Sequence, residues 1–264
     1  MGEVRSVCYR ELTREEIGEI APRATAVLPV AAIEQHGPHL PVWVDALVAE
    51  RLALAAGERI ADSAPVVICP TVSFGASHHH LVFPGALSLS RDTLLRVLAD
   101  LTDSLVSSGF RSIFILNCHG GNEEVVRMAA RELVLRHSLA VGAGSYWTIA
   151  WESLIDGGAG DVGRVPGHAG GFETSLMLAL EPELVRRERL PSSHGGVVSG
   201  PPVEPTGLPL TLHSGSWKAA DGYSDDASRA SGEHGERFFE GIVNRLADHL
   251  LRFHRRALGE ADVQ

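Results

Sequence analysis

What most constrains this chain is an alternation along its length. Short runs that are apolar throughout are each followed by a longer stretch with helical periodicity. ATAVLPVAAI (24–33) reads as a buried strand and leads through a loop into a helix from about Asp45 to Ala61. APVVICPTVSF (64–74) reads as the next strand. Ser90 then stands as the N-cap of a helix that sets Leu94, Leu95, Leu98, Leu101 and Leu105 on one face. Gly109 stops that helix, and RSIFILNC (111–118) is the clearest strand of all. A helix from about Asn122 to His137 and a strand AVGAGSYW (140–147) complete the series. Strands with no polar face must be covered on both sides, which predicts an α/β fold with a mainly parallel sheet between helices.

The remainder fits one domain over residues 1–264, since neither an internal repeat nor a second composition regime is visible. The N-terminal stretch MGEVRSVCYRELTREEI is polar and helix-like, and an amphipathic helix is expected from about Asp226 to Ala257. Between Leu190 and Asp225 the chain is rich in Pro, Gly and Ser. A segment of that length reads as a functional or subunit-contacting loop rather than a connector.

Charge excludes some partners. With 23 basic and 33 acidic residues the net charge is -10, so neither nucleic acid nor an anionic membrane surface is expected as a partner. No apolar run reaches the roughly 18–20 residues that span a bilayer, and the N-terminus lacks the apolar core of a signal peptide. Cys8, Cys69 and Cys118 are odd in number and unpaired in spacing, which suits reduced thiols in a cytoplasmic protein.

In parallel α/β folds, sites form in the crevice beyond the carboxyl ends of the strands. The reactive side chains cluster there. Glu34-Gln35-His36-Gly37-Pro38-His39 follows the first strand, with Asp45 opening the next helix. Asn117-Cys118-His119-Gly120-Gly121-Asn122 follows the third, and Gly167-His168-Ala169-Gly170-Gly171-Phe172-Glu173 comes later. Glu34 and His36 are two apart and project to one side of an extended segment. Carboxylates mixed with imidazoles suit Zn, Mn or Fe better than Mg or Ca. Taken singly, each residue has a plainer reading. Glu173 in a first helical turn serves the macrodipole, a loop histidine is commonly just hydrogen-bonded, and Gly-Gly before a helix is commonly a turn. Cys118 reads as a small buried residue and Trp151 as core.

The strings EQHGPHLP with Asp45 after it, NCHGGN (117–122) and GHAGGFETSLMLAL (167–180) resemble, in that order, the motifs of the creatininase family. FPGALSL (83–89) and SYW (145–147) agree with the same resemblance, which spans about Val27 to Leu180. It implies an α/β/α sandwich, commonly assembled as a hexamer, around two divalent metal ions. Zinc is the first expectation, with manganese or iron as alternatives. Carried over residue by residue, Glu34, Asp45 and His119 hold one ion, and His36, Asp45 and Glu173 the other, with Asp45 bridging. His168 matches the family's acid/base histidine, beside Glu173 as the second catalytic residue.

The implied reaction is hydrolysis of an amide C–N bond, in a small and cyclic substrate, by a metal-activated water. Creatinine itself is not the expected substrate. Gly121 stands where creatininase proper has an additional glutamate ligand, and Arg164 stands where it has a second aromatic. Trp147 does match a pocket aromatic. Arg164 offers a bidentate contact to a substrate carboxylate or phosphate, or is a surface arginine. His79 and His80, before the FPG segment, are expected to line the pocket, although a histidine run also binds adventitious metal. The alternatives are a deformylase or a peptidase of the same family, or a member that has lost activity and serves as a binding subunit.

Overall fold

The apolar runs pair into one parallel sheet, seen here in a computed structural model that describes residues 7–191 and 215–259. Its strands are β1 (Thr25–Val30), β2 (Val66–Ile68), β3 (Ser112–Asn117) and β4 (Ala140–Ser145), in the order β2-β1-β3-β4. The longer helices are α1 (Arg14–Ile20), α2 (Val44–Ile60), α3 (Arg91–Ser107), α4 (Glu123–Arg136), α5 (Gly171–Leu180) and α6 (Gly232–Ala257).

Side chains alternate across the sheet, so each strand feeds two cores. Val27, Ile68, Phe114 and Leu116 pack with Leu47 and Leu52 of α2, Phe172 and Leu176 of α5, and Phe238 and Leu246 of α6. On the opposite face Ala26, Leu28, Val30, Ile113 and Ile115 pack with Ile20 of α1, Leu94 and Leu98 of α3, and Val126 and Leu133 of α4. That three-layer arrangement is what continuous apolar strands require. Parallel crossovers are right-handed. The step from β1 to β2 runs opposite to the steps from β2 to β3 and from β3 to β4, and this puts α2 on one face and α3 and α4 on the other.

Local signals account for most of the boundaries. Thr13 and Glu16 form a reciprocal capping box at the start of α1, and Ser90 accepts from Thr93 N–H at the start of α3. Three boundaries differ from the sequence expectation. The second strand stops at Ile68, because Pro70 cannot donate to the ladder, and the chain rejoins β1 only at Val72, whose N–H bonds to the Pro29 carbonyl. The fourth strand ends at Ser145, where Tyr146–Ile149 coil into one helical turn. The last helix begins at Gly232 rather than near Asp226, because Ser231 caps it through His234 N–H. Of the expected loop at 190–225, residues 192–214 lie outside the described residues. Among the described residues, no helix is long and apolar enough to cross a membrane.

The strand order reverses direction between β1 and β3, which end level with Val30 beside Asn117. Both chains leave the sheet at that point, opening the crevice in which such folds bind ligands.

Candidate metal centre

Four elements aim side chains into the crevice. Glu34 and His36 lie just past β1, Asp45 sits in the first turn of α2, His119 follows β3, and Glu173 sits in the first turn of α5. Loop packing fixes each one. Asn122 clamps the two strand ends by accepting from Ala76 N–H (2.8 Å) and donating to the Ala31 carbonyl (3.0 Å). Asn117 accepts from His119 N–H (3.2 Å) and donates to Ser145 Oγ (2.9 Å). Glu173 is steadied by Ala169 N–H (2.6 Å), and Ser77 donates its hydroxyl proton to Glu34 Oε2.

The side chains converge. His36 Nε2 lies 3.3 Å from Asp45 Oδ1 and 3.7 Å from Glu173 Oε2. His119 Nδ1 lies 3.1 Å from Asp45 Oδ2 and 3.4 Å from Glu34 Oε1, so Asp45 stands between the two imidazoles. His168 Nδ1 is 3.3 Å from the same Glu34 oxygen. The outer ring nitrogens have backbone partners: His36 Nδ1 donates to the Glu34 carbonyl (3.2 Å), and His168 Nε2 to the Gln35 carbonyl (2.8 Å). A backbone acceptor on one ring nitrogen fixes the tautomer and presents the other as a ligand.

Three carboxylates are buried here, Glu34 at 1 %, Asp45 at 5 % and Glu173 at 7 % exposed. Among the described residues, every ion pair they make is to a histidine. Uncompensated buried carboxylates are costly, so the group must hold either protons or cations. Burial pushes the Glu34 and Glu173 carboxyls up, to about 7 and about 8. Burial opposes charge on His36 and His119 as well, but the facing carboxylates reverse it and carry these imidazoles up to about 10 and about 9. Asp45 stays below the usual carboxylate range because His36 and His119, against the effect of burial, hold it ionised. His168 goes the other way. Burial, followed by the charges of His36 and His80, pushes it well below the ordinary imidazole value and keeps it neutral.

The donor set fits divalent metal. Buried His36 Nε2 and Asp45 Oδ2 have no hydrogen-bond partner although charged atoms surround them. Such orphaned atoms are rare in native interiors, and a bound ion is one thing that satisfies them. The ligand atoms of His36, Asp45 and Glu173 lie within 4.8 Å of one another, as do those of Glu34, His36 and His168, and those of Glu34, His79 and His119. Mixed imidazole and carboxylate donors suit Zn, Mn or Fe.

Residues 10–250 match the creatininase family model, described as creatinine amidohydrolase. The chain belongs to the creatininase family. It is 32% identical over 231 residues to a mycofactocin precursor peptide peptidase of Mycolicibacterium smegmatis, covering 86% of this chain and 84% of that protein. It is 31% identical over 266 residues to creatinine amidohydrolase of Pseudomonas putida, covering 93% and 96%. A crystal structure of a creatininase superposes with a TM-score of 0.76 at 30% identity, covering 93% of this chain and 97% of that one. The protein is accordingly a creatininase-family amidohydrolase, and its buried Glu/His groups fit a metal-dependent enzyme.

The other residues singled out from the sequence have distinct surroundings in this creatininase-family fold. His80 is buried, its Nδ1 accepting from Gln35 Nε2 (2.8 Å) and its Nε2 lying 3.5 Å from Glu34 Oε1. Half-buried His79 stacks on His119 with centroids 5.7 Å apart. Trp147 is 2 % exposed, packs edge-on against Tyr146 in the core, and leaves its indole N–H without a partner. Arg164 is tied in by its backbone N–H, which donates to Asp225 (3.1 Å).

Sequence reasoning missed four participants. Ser77 orients Glu34. Gln35 was read only as part of its motif, yet its amide also donates to the Gly222 carbonyl (2.8 Å). Asp225 accepts from Arg164 and Gly171 N–H and so holds the start of α5. Trp217 lies with its ring 4.4 Å from His80 and 5.0 Å from His168. The only sequence signal for Trp217 was an aromatic within a loop otherwise poor in them.

Proposed function

We propose that this enzyme hydrolyses the C–N bond of a small, cyclic amide with two divalent metal ions, zinc first, manganese or iron next. The observation that carries the reading is the convergence of three buried carboxylates on histidines alone, with His36 Nε2 and Asp45 Oδ2 unpartnered. Glu34, Asp45 and His119 would hold one ion and His36, Asp45 and Glu173 the other. Solved creatininases include a Zn-Zn form and a Mn form, which supports the choice of metals.

Bound there, divalent ions lower the pKa of a water towards neutrality and polarise the substrate carbonyl. The chain's own residues supply the rest. Asp45 fixes the spacing of the two sites by facing His36 with one oxygen and His119 with the other. His168 is neutral, its Nε2 proton committed to the Gln35 carbonyl, so Nδ1 is free to take a proton from the attacking water. The same Nδ1 then delivers that proton to the leaving nitrogen. Trp217 covers the His80 and His168 rings and excludes water from that side. Buried His80 and half-buried His79 stand beside the centre, whereas a substrate contact by Trp147, which packs in the core, or by Arg164 rests on the family resemblance alone.

A peptide amide is the second reading, supported by the 32% identity to a precursor peptide peptidase. The same proposal takes residues 1–264 as one domain acting in the cytoplasm as a homo-oligomer. The buried, reduced thiols of Cys8, Cys69 and Cys118 support the compartment, and family resemblance alone supports a hexamer. The test is metal analysis of protein purified without chelator, with a hydrolysis screen of cyclic amides, formamides and short peptides. About two equivalents per chain and turnover of cyclic amides are expected. Absence of metal after reconstitution would sink the assignment, and turnover of peptides alone would move the second reading to the front.

A further inference from the structure

We propose that His79 is a protein ligand of the metal centre, joining Glu34 and His119. The ligand atoms of these three residues all lie within 4.8 Å of one another, so one ion can reach them together. The inference rests on the two-metal reading above and adds a ligand to it.

Space at position 121 makes the arrangement feasible. A Cβ there would stand 2.6 Å from His119 Nε2 and 3.0 Å from His79 Cε1, and would collide with the Ala76 carbonyl. Gly121 therefore leaves its volume to two imidazoles, and their rings lie nearly parallel, 11° apart. Any side chain at 121 would push one of them out.

Commitment of the neighbouring histidines points the same way. His78 Nδ1 bonds to Ser88 Oγ (2.7 Å), and His80 Nδ1 to Gln35 Nε2 (2.8 Å). Among the described residues no hydrogen bond to His79 is made, although its ring packs against His80, His119 and Trp217. It is the one member of the run with both ring nitrogens uncommitted and a carboxylate and an imidazole within ligand range. An ordinary loop histidine would turn outward and be solvated, whereas this ring is held against the centre.

The addition makes the two sites chemically unequal. Glu34, Asp45, His119 and His79 give two nitrogens and two oxygens, the set of a four-coordinate zinc site. His36, Asp45 and Glu173 give one nitrogen and two carboxylates, harder and more accommodating to manganese. The His79 site is accordingly the one that fills first with zinc.

The experiment is stepwise metal binding by wild type, His79→Ala and His36→Ala, measured by competition with a chromophoric chelator and by the d–d absorption of the Co(II)-substituted protein. Wild type should bind two ions. His79→Ala should keep one near its wild-type affinity and lose at least about 100-fold at the other, since even outer-shell changes cost 10–100-fold. Its Co(II) spectrum should change in the component that His36→Ala preserves. Thermal unfolding in excess chelator checks the fold, and equal metal-free midpoints for wild type and variant are expected. Were the alanine variant to unfold, His79→Asp, which retains a ligand, should fold and bind both ions, while His79→Asn should bind one. Two ions at unchanged affinity and with an unchanged Co(II) spectrum in His79→Ala overturns the inference while leaving the two-metal reading intact. Failure of wild type itself to bind metal overturns both.

Discussion

Replacing Gln35 by methionine keeps side-chain length and removes the amide. Gln35 is 7 % exposed; its Nε2 donates to the Gly222 carbonyl and to His80 Nδ1, and its Oε1 accepts from Gly37 N–H (2.9 Å). Methionine leaves those three groups inside the protein with nothing to bond. A buried group stripped of its partner costs about 1–3 kcal/mol. The lower end applies, because Gly37 is only half-buried, and the total comes to about 3 kcal/mol. For a chain of this size each kcal/mol moves the midpoint by about 2–4 °C, so Gln35→Met should melt roughly 6–12 °C below wild type in calorimetry. Metal content should not change, because none of the proposed ligands bonds to the lost amide. A midpoint within about 2 °C of wild type would show that Gly222 and His80 are held by other contacts, and the reasoning would fail.

Above about pH 6.5, where the depressed His39, His79, His80 and His168 no longer titrate in either state, removing metal should make stability fall as pH rises. His36 and His119 keep protons above their ordinary 6.5 when folded, so their contribution is complete below that pH and is lost as pH climbs through about 9 to about 10. Glu34 and Glu173, raised from 4.5 to about 7 and about 8, act in the same direction up to those values, and urea titrations of chelated protein from pH 6.5 upward check the slope. His168→Ala should lower kcat by about 10²–10⁴ while both metals remain, as elemental analysis alongside kinetics will show. Trp217→Ala should raise KM more than it lowers kcat, and substrate binding should alter tryptophan emission in wild type but much less in the variant. Gly121→Ala should displace His119 or His79 and lower metal occupancy, measured by elemental analysis.

Much of this was legible in the sequence wherever the information is local. The apolar runs gave the sheet, Ser90 its cap, and EQHGPHLP and NCHGGN the two strand ends that meet across the crevice. The position of Asp45 followed from a helix that begins one residue before it. What escaped was non-local. Gln35 meets Gly222 across 187 residues, and Asp225 reaches Gly171 across 54, in segments that have no periodicity to read. The early end of β2 is different, because Pro70 was visible and should have shortened the strand.

The strand order also governs when the centre can come into being. β1 and β3 are joined side by side although Thr25 and Ser112 stand 87 residues apart, and β2 must be laid down on the outer edge in between. Parallel pairing at such separation pays its loop-closure entropy before any contact rewards it. Glu34, His36 and Asp45 therefore emerge from the ribosome long before His119 and Glu173 exist to complete them. A cation meeting the nascent chain would find only half of the proposed cage, so tight loading would wait for the sheet to close. Ions held by the ligands proposed above would tie β1, α2, β3 and α5 into one cooperative unit, and none of the four could then open without surrendering the metal.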